Sequence, residues 1–305
     1  MATVLITGGT GLVGKALGQA LLQKGYSVII LSRNPRQAPA GALRYAGWNV
    51  EEQTIDKSAI AEADYIIHLA GAGVAEKRWT AKRKQEIIES RVNSSRLITE
   101  KLQRIPNKVK AVISASAIGW YGADLVIPNP EPFTEEAPAS NDFLGATCAA
   151  WEKSTEPVKA AGIRLVKLRI GIVLSKQGGA LKEIMRPMRF GIAAILGNGK
   201  QVMSWIHLDD MVELFIKALE NEQLKGVYNA VAPHPVSNKE LTLALAKSRK
   251  RFHIPLKVPS FVLKAMLGEM STEVLKSATV SCGKILAAGF VFQYNTIQEA
   301  MDHLY

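Results

Sequence analysis

The sequence predicts an α/β fold: a Rossmann-type, doubly wound parallel sheet with a smaller C-terminal substrate lobe. Three observations predict it. An apolar strand, Val4-Leu5-Ile6-Thr7, runs into glycines at 8, 11 and 14 and then directly into an apolar-faced helix (Leu12, Val13, Ala16, Leu17, Ala20, Leu21). Short β-rich apolar runs then alternate with amphipathic helical stretches, as crossover helices between parallel strands require. Residues 172–206 and 255–305 break that alternation, the first rich in Gly and Met, the second bringing prolines and short helical patterns around Gly268 and Gly289.

Strands are expected near 3–7, 27–32, 64–69, 109–115, 164–169 and 226–230, and helices over 12–24, 81–104, 142–161, 208–220 and 238–249. Asn141 and Asp142 precede the apolar-periodic run of the third helix, where a side-chain cap belongs. The domain reading is a cofactor-binding unit over 1–171, completed by 207–235. A substrate-side lobe covers 172–206 and 236–305 and includes a C-terminal module from 255.

The glycine loop carries the first functional statement. One glycine permits the tight turn, one lets the backbone approach a pyrophosphate, and one lets helix pack on strand. The helix start adds unpaired N–H groups and a partial positive charge. Thr7, Gly8, Thr10, Gly11, Leu12, Val13 and Gly14 are therefore expected to hold a dinucleotide.

The second strand should end at the adenosine ribose. An acidic residue there favours NAD, whereas arginine favours the 2′-phosphate of NADP. The strand ends in Ser32-Arg33-Asn34-Pro35-Arg36, and no acidic residue occurs before Glu51. Ser32 offers a hydrogen bond, and Arg33 or Arg36 a charge-assisted pair. The expected cofactor is NADP.

Composition sets the bounds. The 305 residues are 48% hydrophobic, enough for a sizeable core. No apolar run approaches the roughly 20 residues a membrane span needs, no signal peptide is evident, and no membrane partner is expected. Cys148 and Cys282 stand far apart, with no metal-ligand spacing, which points to a reducing cytoplasm and no metal. The formal net charge of +11 is spread along the chain. Its densest run, Lys77 to Lys84, either faces a phosphate-bearing ligand or is a solvated helix face. No motif supports specific nucleic-acid binding.

With these pieces placed, the chain resembles the extended short-chain dehydrogenase/reductases. It is most similar to the atypical branch labelled epimerase family protein or nucleoside-diphosphate-sugar epimerase. The resemblance covers nearly the whole length. It rests on the glycine loop, His68-Leu69-Ala70-Gly71-Ala72, Arg78-Trp79-Thr80, Ser90-Arg91-Val92-Asn93, and Ser114 through Gly122. It continues through Trp151-Glu152, Leu168 through Leu174, Ser204 through Asp210, and the stretch from Pro259 to Phe290.

The resemblance implies cofactor contacts from Leu69, Ala70, Gly71 and Arg91, catalytic support from Ser116 and Asn93, and substrate contacts from Arg78, Trp79, Arg169, Arg189, Gln201 and Trp205. It also implies a Tyr-x-x-x-Lys pair for acid–base work, and here the sequence departs. Counting back from Trp151-Glu152, the two places hold Leu144 and Cys148. Tyr121 is the nearest phenol that could substitute. The family often pairs through helices flanking the active site, which makes a homodimer conceivable.

Two readings of function follow. One is an NADP-dependent oxidoreductase or epimerase acting on a small polar carbonyl, alcohol or nucleotide sugar. The other is a non-catalytic NADP(H)-binding redox sensor or regulator. A nucleic-acid or membrane-surface binder driven by net charge trails both.

Overall fold

The computed structural model describes residues 1–35, 41–250 and 252–305. Its main sheet has eight strands: β1 (Thr3–Thr7), β2 (Ser27–Ser32), β3 (Leu43–Asn49), β4 (Thr54–Ile55), β5 (Tyr65–His68), β6 (Ala111–Ala117), β7 (Arg164–Ile170) and β8 (Gly226–Ala230). Their order is β8-β7-β6-β5-β1-β2-β3-β4. Every neighbouring pair is parallel except β3 with β4. The connection reverses direction at β1, so the C-terminal end of β1 faces the switch point where an open α/β sheet binds its ligand.

Alternation along β1 shows how the sheet is covered. Val4 and Ile6 pack with Leu17 and Leu21 of α1 (Leu12–Gln23). Met211, Val212 and Phe215 of the helix Leu208–Glu220 join them on that face. Leu5 points the other way, into a second core with Ile60, Leu97, Ile98 and Leu102. Those come from α2 (Lys57–Glu62) and α3 (Ala81–Arg104). Each of these aliphatic side chains contributes about 1.5–3 kcal/mol on full burial, and the two-sided demand explains the near-continuous apolar strands.

The pattern did not reveal β3 and β4. At the sheet edge β3 buries only Ala46 and Trp48, so its alternation is thin. The expected helix at 142–161 divides: α4 spans Phe143–Thr155, and a 3-10 turn, Glu156–Ala161, follows where Pro157 cannot supply an N–H. Asp142 caps α4, its carboxylate accepting from the Gly145 N–H at 2.7 Å.

The stretch 172–206 is more regular than its composition suggested, with short strands at Ile172–Ser175 and Trp205–His207, a helix at Ala180–Met188 and a strand at Ile192–Leu196. It has its own core, in which Leu174, Leu181 and Trp205 meet Leu241, Leu245, Met301 and Leu304. Residues 277–281 then thread back against the first half. The carboxylate of Asp124 accepts from the Ser277 and Thr279 hydroxyls at 2.7 and 2.8 Å and from the Thr279 N–H at 3.0 Å.

Candidate cofactor cleft and the buried network behind it

A cleft of about 1790 Å³ opens at the end of β1. Gly8, Thr10 and Gly11 line one part, Ser32, Arg33 and Asn34 another, Leu69 through Gly73 a third, and Asn93 of α3 the far side. Arg36 lies outside the described residues.

The three glycines are there for different reasons. Gly8 has φ +69, and a β-carbon on it would sit 2.9 Å from the Leu69 carbonyl carbon. On Gly14 a β-carbon would lie 2.4 Å from the Gly8 carbonyl oxygen. The fold itself therefore requires both. At Gly11 only the Gly8 oxygen comes near, at 3.3 Å. Gly11 is exposed and ends at the first turn of α1, where no side chain caps the helix. A dispensable β-carbon position beside open N–H groups of Leu12 and Val13 fits a pyrophosphate.

Thr7 and His68 brace the neighbouring loop. The Thr7 hydroxyl oxygen accepts from the N–H groups of Leu69 and Ala70 at 3.0 and 3.1 Å. Its own proton is left for Nδ1 of His68, 2.8 Å away. That fixes the ring with its proton on Nε2, facing the Ser95 hydroxyl at 3.0 Å. Complete burial pushes the His68 pKa down to about 4, so the ring is neutral near pH 7. Arg91 lies under the same loop: its guanidinium donates to the carbonyls of Ala72 and Ile87 at 2.9 and 3.0 Å and stacks 5.0 Å over Trp151. The geometry gives Arg91 a bracing position beneath the loop rather than one on the cleft wall.

Behind the cleft two of the three predicted catalytic residues, Ser116 and Tyr121, are turned inward. Ser116, at the end of β6, donates to Glu152 Oε1 at 2.8 Å. Arg169 donates to both oxygens of that carboxylate at 2.8 and 3.2 Å, and Lys167 lies 3.6 Å from it. The Arg169 guanidinium also lies 3.6 Å from the Trp120 ring centre. Burial opposes its charge, but the Glu152 carboxylate outweighs burial and its pKa is raised. Tyr121 is fully buried, its phenol donating to Asn229 at 2.6 Å and accepting from Arg169 at 3.1 Å. Burial raises its pKa despite those partners.

The two places where the family carries its pair hold Leu144 and Cys148, packed against the chain after β6. A β-carbon on Gly119 would lie 3.2 Å from Leu144 Cβ and 3.7 Å from Cys148 Sγ. Burial pushes the Cys148 thiol up to about 12, which leaves it protonated.

The residues expected to touch substrate separate. Trp79 is buried, its indole N–H donating to the Val74 carbonyl and its ring edge-on to Phe143 at 4.8 Å. Gln201 is buried and donates to the Leu196 carbonyl. Trp205 is fully buried in the third core and donates to the His234 carbonyl. Arg169 is engaged as described, while Arg78 is exposed and donates to Ala265 O at 3.3 Å. Arg189 is exposed at the end of the helix Ala180–Met188. The basic run at 77–84 divides likewise: Lys82 and Arg83 line the cleft, Arg83 pairs with Glu76 and Glu86, and Lys84 pairs with Glu269. His207 caps its helix, Nδ1 accepting from the Asp209 N–H at 3.1 Å.

Glu152, Asn229 and His68 are the structural hubs that residue type alone did not mark. Glu152 and His68 lie inside the quoted motifs, but only the fold reveals that each is buried among polar partners.

Comparisons with known proteins agree with this architecture. Residues 4–230 match the NAD dependent epimerase/dehydratase family, and residues 258–304 match a domain of unknown function, DUF1731. The epimerase family protein YfhF of Bacillus subtilis is 36% identical over 302 residues, covering 99% of this chain and 97% of that protein. The crystal structure of human epimerase family protein SDR39U1 with NADPH superposes with a TM-score of 0.86 at 27% identity, covering 99% of this chain and 98% of that one. The nucleoside-diphosphate sugar epimerase from Corynebacterium glutamicum has a TM-score of 0.78 at 31% identity, covering 99% of this chain and 58% of that one. With the glycine-lined cleft at the sheet's switch point, these matches show that the chain belongs to the NAD dependent epimerase/dehydratase family.

Proposed function

We propose that this protein is an NADP(H)-dependent oxidoreductase or epimerase acting on a small polar carbonyl, alcohol or nucleotide sugar. The observation that carries the cofactor choice is the wall at the end of β2. Ser32 and Arg33 line the cleft there, where a carboxylate would repel a 2′-phosphate. The NADPH in the human relative supports the same choice. Gly11 with the first turn of α1 would hold the pyrophosphate, and Leu69, Ala70 and Gly71 would pass the adenosine. The bound nicotinamide would supply or accept hydride. Asn93 faces the cleft from α3 and is the catalytic candidate with direct access to it. Ser116 and Tyr121 would support chemistry only if Glu152 and Asn229 released them. The substrate side is assigned to 172–206 and 236–305, and the unpaired Cys148 and Cys282 favour a reducing cytoplasm.

A second reading, a non-catalytic NADP(H) sensor, is favoured by one observation: Ser116 and Tyr121 are both held inward by buried hydrogen bonds. The deciding experiment measures NADPH and NADH affinity, then NADPH oxidation across carbonyl and nucleotide-sugar substrates. Tighter NADPH binding with turnover supports the enzyme. Tighter NADPH binding without turnover supports the sensor, and equal affinities overturn the NADP assignment.

A further inference from the structure

The strands Ile192–Leu196 and Ile254–Val258 form a separate two-stranded parallel ribbon. Register places Ile192 opposite Ile254, Ala194 opposite Leu256 and Leu196 opposite Val258. Side chains alternate along a strand, so these residues share one face. Ala193 and Ile195 point to the other face and are buried. The outer strand's part of this face is open, with Ile254 and Leu256 58% and 52% exposed, while Ile192, Ala194, Leu196 and Val258 are half-buried. Two aromatics stand where the strands enter, Phe190 at 81% and Phe252 at 86% exposure. Their backbones adjoin, because the Ile254 N–H donates to the Gly191 carbonyl at 2.8 Å.

The chain on either side of the two aromatics carries charge of one sign. No Asp or Glu occurs between Glu183 and Asp209, or between Glu240 and Glu269, and those stretches contain both strands. Arg189 directly precedes Phe190 and Lys250 lies two residues before Phe252, and both are exposed. Arg186 is paired with Glu183, and Lys257, in register with Ile195, points to the other face.

We propose that this ribbon face is a peripheral docking surface for an anionic lipid bilayer. The rim selects the occupant. A second copy of the chain would bring the same cations against it, and Pro255 and Lys257 on the outer strand oppose pairing edge to edge. The aromatics project outward instead of lining a groove. Projecting aromatics flanked by Arg189 and Lys250 suit the headgroup boundary, where rings insert and cations meet anionic lipid. The expectation of no membrane partner rested on the lack of a spanning run. Among the described residues no helix is long and apolar enough to cross a membrane, and surface docking requires none.

The test is co-sedimentation of the full chain with phosphatidylcholine vesicles, with and without phosphatidylglycerol, at low and high salt. Binding is expected only with phosphatidylglycerol, and salt should weaken it. Phe190→Ser with Phe252→Ser, and separately Arg189→Glu with Lys250→Glu, should each weaken binding by at least about tenfold, with melting temperature as the folding control. No binding, equal binding to both vesicle types, or unchanged binding by both well-folded variants overturns the proposal. Salt-sensitive binding to soluble polyglutamate without vesicle binding would make the face a protein-docking site and also overturn it.

Discussion

The Ser116 hydroxyl donates to the Glu152 carboxylate at 2.8 Å, and the same carboxylate receives Arg169 in a two-pronged contact. One buried anion therefore holds a predicted catalytic hydroxyl and a predicted substrate arginine together, inside the protein. Glu152→Gln keeps the shape and removes the charge. Arg169 would be left buried without its counter-ion, while Lys167 keeps Glu156, and unfolding free energy should fall by about 3–5 kcal/mol. Ser116→Ala removes one hydrogen bond to a charged group and should cost about 1.5–3 kcal/mol. Denaturant titration of both variants checks the ranking, and a larger loss from Ser116→Ala would contradict it.

The glycine loop gives a second contrast. Gly14→Ala places a carbon 2.4 Å from the Gly8 carbonyl oxygen, so strand and helix must separate, at a cost of about 1–3 kcal/mol. Gly11→Ala should melt close to wild type and yet weaken dinucleotide binding. Melting curves with and without NADPH separate the two effects, and normal NADPH affinity in Gly11→Ala would remove Gly11 from the phosphate site.

Arg33 is exposed on the cleft wall. Arg33→Asp restores the acid that the end of β2 lacks. NADPH affinity should drop by about tenfold or more relative to NADH, the loss of one charge-assisted contact. Calorimetry with both cofactors reads the ratio. An unchanged ratio would shift the burden to Ser32 or to Arg36.

His68 makes a pH prediction. Its pKa is about 4 in the folded chain against an ordinary 6.5. The unfolded chain therefore binds the extra proton first as pH falls. The stability that a neutral His68 provides is complete above pH 6.5 and is lost on descending to about 4, up to an order of 3 kcal/mol. Replacing it, His68→Gln, should flatten that part of the stability profile. A variant profile parallel to wild type across this window would show that another group titrates there.

Much of the wound sheet could be read before the structure, because β1, β2 and β5–β7 are largely buried and mostly apolar. The edge strands were not legible, since β3 buries only Ala46 and Trp48. Gly8, Gly11 and Gly14 were legible as a loop, but only the fold separates Gly8 and Gly14, which the backbone needs, from Gly11, which it does not. The catalytic reading was least legible. Ser116 and Tyr121 are suitable chemically and stand where the family pattern expects such groups, but their hydrogen-bond partners, Glu152 and Asn229, stand 36 and 108 residues away. No local pattern reports such pairings.

Asp124 has a consequence for the order of events during synthesis. Its carboxylate belongs to the early half of the chain; Asn129 donates to it locally, but its remaining partners come from Ser277 and Thr279. Until the ribosome has released those residues, the nascent chain carries a carboxylate short of most of its partners and must keep that side hydrated. A truncated chain ending before residue 277 would stay in this unfinished state, a ready target for quality-control proteases.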